Sequence, residues 1–336
     1  MKTLKTIITI LAVTILTSCS VNNSRTIQNI LNSSFRVYQI SGFQGPKIDI
    51  KNDSLAQFLT ALHYNIPLAE IESALEWSSE TTENNIKALI ENKLLTKEGD
   101  YYQPTLGIFA LERGNLLKEK AQNVAIEIAD SVYNWLPELK KIHQETNISR
   151  HHDFRELSFF YLSNGILDNF QIRRIEDEFL NQKRPLRNGS RYYLAIVEDN
   201  HANKTEPFGM YGNRGLLWND SIGICVYGNK RIESNVGWDN YTDKNIYVFD
   251  KNDTQLVTQK MPDAFFPCLL DILNRNKPYF EATYRELNFD KEVSFEEFFI
   301  YWYHWIYTEA TDVLIAKDII QKPKNEMFYY KIAANH

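Results

Sequence analysis

Three consecutive runs decide how this chain is read: Pro67-Leu-Ala-Glu-Ile-Glu-Ser-Ala-Leu-Glu-Trp77, Ser78-Ser-Glu-Thr-Thr-Glu-Asn-Asn-Ile-Lys-Ala-Leu-Ile-Glu-Asn-Lys93 and Leu94-Leu-Thr-Lys-Glu-Gly-Asp-Tyr-Tyr-Gln-Pro-Thr105. Pro67 suits a first helical turn, where its missing N–H costs nothing. Ile71, Ala74 and Leu75 give that helix an apolar stripe. Ser78 is placed to cap a second helix, which turns Ile86, Leu89 and Ile90 to the same core. Lys97-Glu98-Gly99-Asp100 forms a turn, and Tyr101-Tyr102-Gln103 returns as a strand. Upstream, Asp53 or Ser54 can start a further helix to about Tyr64, with Leu55, Phe58, Leu59 and Leu62 on one face.

Helix, tight turn, helix and hairpin in this order resemble a winged helix-turn-helix module, a fold best known for reading DNA. The resemblance covers Ile66 to Thr105, and Lys93 stands where that pattern often has glycine. A DNA reader needs Arg, Lys, Asn or Gln at the front of its recognition helix and basic residues around it. Here the front offers Glu80, Thr81, Glu83, Asn84 and Lys87. Residues 66–112 carry nine acids against three lysines, a formal balance of −6. Such a surface repels a duplex, because each phosphate contact needs a neutralising cation. A nucleic-acid partner is therefore not expected. Glu80, Glu83 and Lys87 are read instead as a protein-contact face.

The chain's first residues give it an address. Lys2 and Lys5 precede an apolar run from Ile7 to Leu16, too short for the ~20 residues of a membrane span. Leu16-Thr-Ser-Cys19 follows and resembles a bacterial lipobox, which implies lipidation of Cys19 and a palmitate-bearing anchor. Residues 1–18 are thus expected to be a signal peptide and residues 19–34 a polar tether. The expected location is the cell envelope, in the outer membrane and facing the periplasm. Outside the cytoplasm Cys225 and Cys268 could pair or stay free, and the sequence leaves both open.

The expected fold class is α+β. A winged-helix-like domain spans 35–112, a helical connector 113–183, and a mixed C-terminal domain with an antiparallel, turn-rich sheet spans 184–336. In the connector, Leu117, Ala121, Val124, Ile128 and Val132 keep one face, with Pro137 a start or kink. Chain packing and a homodimer through 113–146 are both compatible with it. A helix is expected from Asp153 to Leu162, and another from about Ile172 to Asn181. Strands are read at Phe35–Ile40, Arg191–Glu198, Ile222–Tyr227 and Ile246–Phe249, and helices at Asp263–Asn274 and from Ser294 through Ile320.

Chemistry-bearing motifs are sparse. Lys183, Arg184, Arg187 and Arg191 form the densest basic cluster, suited to an anion or an acidic partner, or simply to a solvated loop. His152 and Glu156 would share a helix face, but no third metal ligand is spaced to join them. The run from Asp250 to Thr254 lacks the glycine and glutamate of a calcium loop and reads as a turn. Gly209, Gly212 and Gly215 fit hairpin turns rather than a phosphate loop. Phe298 to Tyr307 is aromatic throughout, as in a buried helix. Trp218 and Trp238 could stack on a ligand, with Glu233 and Asp239 near them in an enzyme or glycan-binding alternative. No catalytic residues, metal ligands or cofactor are identified. The expected role is a lipid-anchored envelope protein that binds or scaffolds without catalysis. A cytoplasmic DNA regulator is the alternative if the lipobox is misread.

Overall fold

The structure, a computed structural model, describes residues 25–40, 45–50, 52–180, 182–199, 209–219, 221–231, 246–323 and 325–333. Cys19 and the signal segment lie outside the described residues. The fold is mixed α+β, 55% helical and 20% strand, with long helices and several small sheets. Among the described residues no helix is long and apolar enough to cross a membrane.

Ordered packing starts before the end of the expected tether. Helix α1 (Ile27–Leu31) buries Ile30, and strand β1 (Ser34–Ile40) follows. Arg25 is ion-paired with Glu198, whose carboxylate also takes the Ser33 hydroxyl (2.6 Å) and the Leu111 amide (2.8 Å). These contacts tie Arg25 and Ser33, within the expected polar tether, to β7.

The winged segment forms as its pattern predicts. Helices α2 (Asp53–His63), α3 (Leu68–Leu75) and α4 (Ser79–Glu91) precede the hairpin of β2 (Leu95–Glu98) and β3 (Tyr101–Pro104). Asn52 caps α2, one residue before the expected cap, and Ser78 caps α4 by accepting the Thr81 amide at 3.1 Å. Gly99 takes φ +62° at the wing tip, which its missing Cβ allows. Ile90 differs from expectation. Ile86 and Leu89 are buried, but Ile90 lies one position round the helix and is 41% exposed.

A three-stranded sheet binds this segment to the rest of the chain. β7 (Tyr193–Asp199) is its centre, antiparallel to β1 and parallel to β4 (Gly107–Phe109). Alternate residues of a strand point to opposite faces. Leu194 and Ile196 of β7 and Ile108 of β4 enter the winged-helix core with Phe58, Leu59, Ile71 and Leu89. Tyr193, Ala195, Val197 and Phe109 enter the larger core on the other side. One buried strand, β7, thus contributes to the cores on both sides of the expected boundaries at 112 and 183.

The larger core is built on α5 (Leu111–Gln144), which continues through Pro137, on α8 (Met261–Glu286) and on α9 (Phe295–Ala316). The α5 stripe Leu117, Ala121, Val124, Ile128 and Val132 is buried in this core, leaving Leu116, Ile126 and Tyr133 exposed. Every residue from Phe298 to Tyr307 is buried, and the helix's polar tips are tied to backbone: Tyr301 to Tyr38 O, Trp302 to Leu117 O, Tyr303 to Leu167 O and Tyr307 to Tyr211 O.

Between α5 and β7, the expected Asp153–Leu162 helix is replaced by turns and then a π-wound segment, Phe159–Gly165. A second, Ile175–Leu180, follows the short α6 (Ile172–Arg174). The basic segment forms a small hairpin of β5 (Leu186–Arg187) and β6 (Ser190–Arg191).

The C-terminal sheet has the order β10-β11-β9-β8. It comprises β8 (Tyr211–Trp218), β9 (Ile222–Asn229), β10 (Ile246–Phe249) and β11 (Met327–Ala333), with short α7 (Lys251–Gln255) after β10. β8 and β11 flank β9 antiparallel, whereas β10 runs parallel to β11. The glycines from Gly212 to Gly215 thus lie in a strand rather than in hairpin turns. A register shift between Gly215 and Leu217 accommodates them.

Candidate functional site

Among the described residues the first candidates are an acidic helix face and a polar cavity. The face belongs to α4. Thr82, Ile86 and Leu89 anchor the helix from below, so Glu80, Glu83 and Lys87 are held outward and exposed. Ile90 continues the same stripe at helical spacing. No other part of the described chain covers these residues. Ile90 is thus an exposed apolar side chain among carboxylates.

The basic cluster is largely turned inward. Arg187 is buried and donates to both oxygens of Glu297 at 2.8 Å, to Thr105 O at 2.7 Å and to Tyr192 O at 2.8 Å. Burial pushes the Glu297 carboxyl up and Arg187 opposes it. Arg184 donates to Glu176 at 2.6 Å, and Arg191 to the Arg184 carbonyl at 2.7 Å. Lys183 is exposed. Arg187 therefore joins Thr105, just past the wing strand, to α9, and is out of reach of an external anion. Its partner lies 110 positions away, where no local pattern could show it.

The cavity, about 320 Å³, lies between the C-terminal sheet and the segment linking the two π-wound stretches. Asp168 comes from that link and His304 from the middle of α9, and both side chains are buried. Asn213, Cys225 and Tyr330 of the sheet line it, together with Phe170, Arg173, Arg184 and Lys230. Asn213 is held by two bonds: its amide donates to Asn164 Oδ1 (2.5 Å), and its oxygen accepts from the Tyr330 hydroxyl (2.6 Å). Lys230 Nζ donates to the Asn213 carbonyl at 2.8 Å.

His304 has a defined tautomer. Nδ1 lies 2.6 Å from the Ile300 carbonyl, which can only accept, so the proton is on Nδ1 and Nε2 keeps its lone pair. Nε2 stands 3.7 Å from Asp168 Oδ1, beyond hydrogen-bond length. Burial lowers the imidazole to about 4, and the charges of Lys230 and Arg184 add to that. Burial raises Asp168 to about 7, while Lys230 and the neighbouring Tyr307 oppose the shift. Burial thus favours the neutral form of both the imidazole and the carboxyl lining the cavity.

The other sequence candidates fall elsewhere. His152 Nδ1 meets Glu156 at 3.0 Å, and Tyr247 donates to the same carboxylate oxygen at 3.0 Å, at the edge of a separate surface cleft. Asp250 does not sit in a calcium loop. It caps α7 by accepting the Asp253 amide, and Asp253 accepts the Asn147 and Ile148 amides. Among the described residues no three His, Cys, Asp or Glu side chains are grouped to hold a metal. Cys225 and Cys268 are free, and burial pushes the Cys225 thiol up. Trp218 ends β8, but its side chain, and all of Glu233, Trp238 and Asp239, lie outside the described residues. Sequence reading missed Asp168 and His304, which stand 136 positions apart and have no motif around them.

Compared with known proteins, the chain matches no protein-family model, no curated protein and no solved structure.

Proposed function

We propose that the protein is a lipid-anchored component of the cell envelope that binds a protein partner through the open α4 face, without catalysis there. The observation that carries this reading is the exposure of Glu80, Glu83, Lys87 and Ile90 on one helical stripe. Its acidity favours a partner with a basic surface around an apolar pocket that accepts Ile90. Cys19, at the end of the lipobox-like run, would hold the face at the outer membrane on the periplasmic side. Two acyl chains or more give a stable anchor, since each buried methylene contributes about 0.8 kcal/mol.

The test is photocrosslinking in intact cells from position 83. The expected result is a discrete protein adduct in the membrane fraction that Ile90→Asp abolishes and Cys19→Ala removes from the membrane. Unprocessed, soluble cytoplasmic protein that retards DNA at low salt would overturn the reading.

A further inference from the structure

Arg25 fixes where the chain enters the fold. It is ion-paired with Glu198 of β7, and its guanidinium lies over the Tyr64 ring, 5.8 Å from the centroid. Directly after it, α1 packs on α2 and α3, burying Ile30 and leaving Thr26, Gln28, Asn29 and Asn32 exposed. The same Glu198 carboxylate accepts the Leu111 amide at 2.8 Å, so the start of α5 stands beside this entry point. α5 then runs for 34 residues. At 1.5 Å per residue its last residue, Gln144, is about 50 Å from its first.

Lipidation of Cys19 turns these positions into a limit. Cys19 precedes Arg25 by six residues, and six extended residues reach at most about 21 Å. The polar tether expected from composition, residues 19–34, would reach about 50 Å, as far as α5 is long. A tether of that length lets a folded body turn any side to the bilayer. The shorter one does not. Arg25 stays within about 21 Å of the headgroups, which excludes placing Gln144 on the membrane with Arg25 the length of α5 above it. Charge selects among the surfaces left in reach. Residues 26–34 carry no charged side chain, whereas residues 66–112 carry a formal −6. Anionic headgroups repel the acidic surface within a Debye length of about 8 Å and leave α1 unopposed.

We propose that this short tether makes α1 the membrane-docking end of the fold. Thr26, Gln28, Asn29 and Asn32 lie at the lipid headgroups, and α5 carries its C-terminal end away from the bilayer. The docking side chains are amides and a hydroxyl, which exchange hydrogen bonds with headgroup phosphate and glycerol oxygens as they do with water. This docking rests on the lipid anchor of the proposed function and adds an orientation to it: α1 meets lipid, and the α4 face is left for protein.

The test is energy transfer from a fluorescent amino acid to headgroup-labelled lipid. Full-length protein is purified from membranes and reconstituted into phosphatidylethanolamine–phosphatidylglycerol vesicles, with acylation of Cys19 read by mass spectrometry. The donor replaces Asn29 or Gln144, both exposed. Transfer from position 29 is expected to be at least about 3-fold more efficient than from position 144, given the length of α5 between them. Inserting about 20 Gly and Ser residues between Val21 and Asn22, upstream of the described residues, is expected to bring the two efficiencies together. Equal transfer from both positions, or greater transfer from position 144, with Cys19 acylated overturns the docking and leaves the anchor standing. A ratio unchanged by the insertion overturns the short tether as its cause. Unmodified Cys19 overturns the docking and the anchor together.

Discussion

Asp168 carries a measurable consequence of its burial. Its folded-state value, about 7, lies above the ordinary 3.8, so the unfolded chain releases this proton first as pH rises. Stability is therefore lost from about pH 4 upward, and the cost is complete only above pH 7. Asp168→Asn removes the titration. Its stability relative to wild type is expected to rise by about 2–3 kcal/mol between pH 5 and pH 8, read from urea unfolding at each pH. His63 and His304, lowered to about 3 and about 4, act with the opposite sign. Each binds a proton more readily when unfolded and so costs stability as pH falls below 6.5. The His63 contribution, distant from the substitution, cancels in the difference, and that of His304, which matters only toward acid pH, adds little between pH 5 and pH 8. An equal offset at both pH values would show that Asp168 is not held near neutrality. Gly228 carries a different constraint. A Cβ there would stand 2.7 Å from the Glu326 carbonyl, a backbone atom where β11 meets β9. Gly228→Ala is expected to cost about 2 kcal/mol or more, since strand pairing must shift to admit it.

At the scale of the element, helix ends show what local chemistry encodes and where it stops. Lys93 departs from the glycine usual in the winged pattern, yet the backbone keeps the left-handed turn that glycine serves, with φ 54°. Glu76 closes α3 the same way at φ 55°. A side chain in that region costs about 1 kcal/mol. Lys93→Gly is accordingly expected to raise the unfolding free energy by about 1 kcal/mol without moving the α4 face, measured by denaturant unfolding and by crosslinking from position 83. A lower stability would mean the lysine contributes contacts beyond its backbone. Such signals are local, and for that reason α2, α3, α4 and the hairpin were legible: periodic apolar residues, a serine cap and a Gly99 turn all sit within a few positions. The π-wound stretch at Phe159–Gly165 was not, because an apolar run without clear periodicity does not announce its winding. Strand β11 went unread at the chain's end, and β8 was masked by its glycines. The cavity was least legible of all. Asp168, Asn213, Cys225, His304 and Tyr330 reach it from separate elements, and their pairing is a product of tertiary packing.

For the whole molecule the decisive fact is that β7 is shared. Its odd-numbered residues Tyr193, Ala195 and Val197 complete the larger core, and Leu194 and Ile196 complete the winged-helix core. Two buried ionic contacts reinforce the join. Arg187 links Thr105, just past the wing, to α9 through Glu297, and Arg113 at the start of α5 grips Glu292 at 2.8 Å beside His63 of α2. Removing one partner of such a pair costs about 3–5 kcal/mol, because the other charge stays buried. The winged segment thus differs from a module that folds alone: without residues 192–197 its core lacks a wall of Tyr192, Leu194 and Ile196. Residues 35–112 expressed separately are therefore expected to show little fixed tertiary structure, seen as poor dispersion in amide NMR spectra. The intact chain is expected to unfold in a single transition whether followed by tryptophan fluorescence or by far-ultraviolet dichroism. Leu194→Ala and Val197→Asn, on opposite faces of β7, are expected to lower that one transition together, each by about 2 kcal/mol or more. Separate transitions, one moved by Leu194→Ala and the other by Val197→Asn, would show that the two cores are energetically independent despite the strand they share.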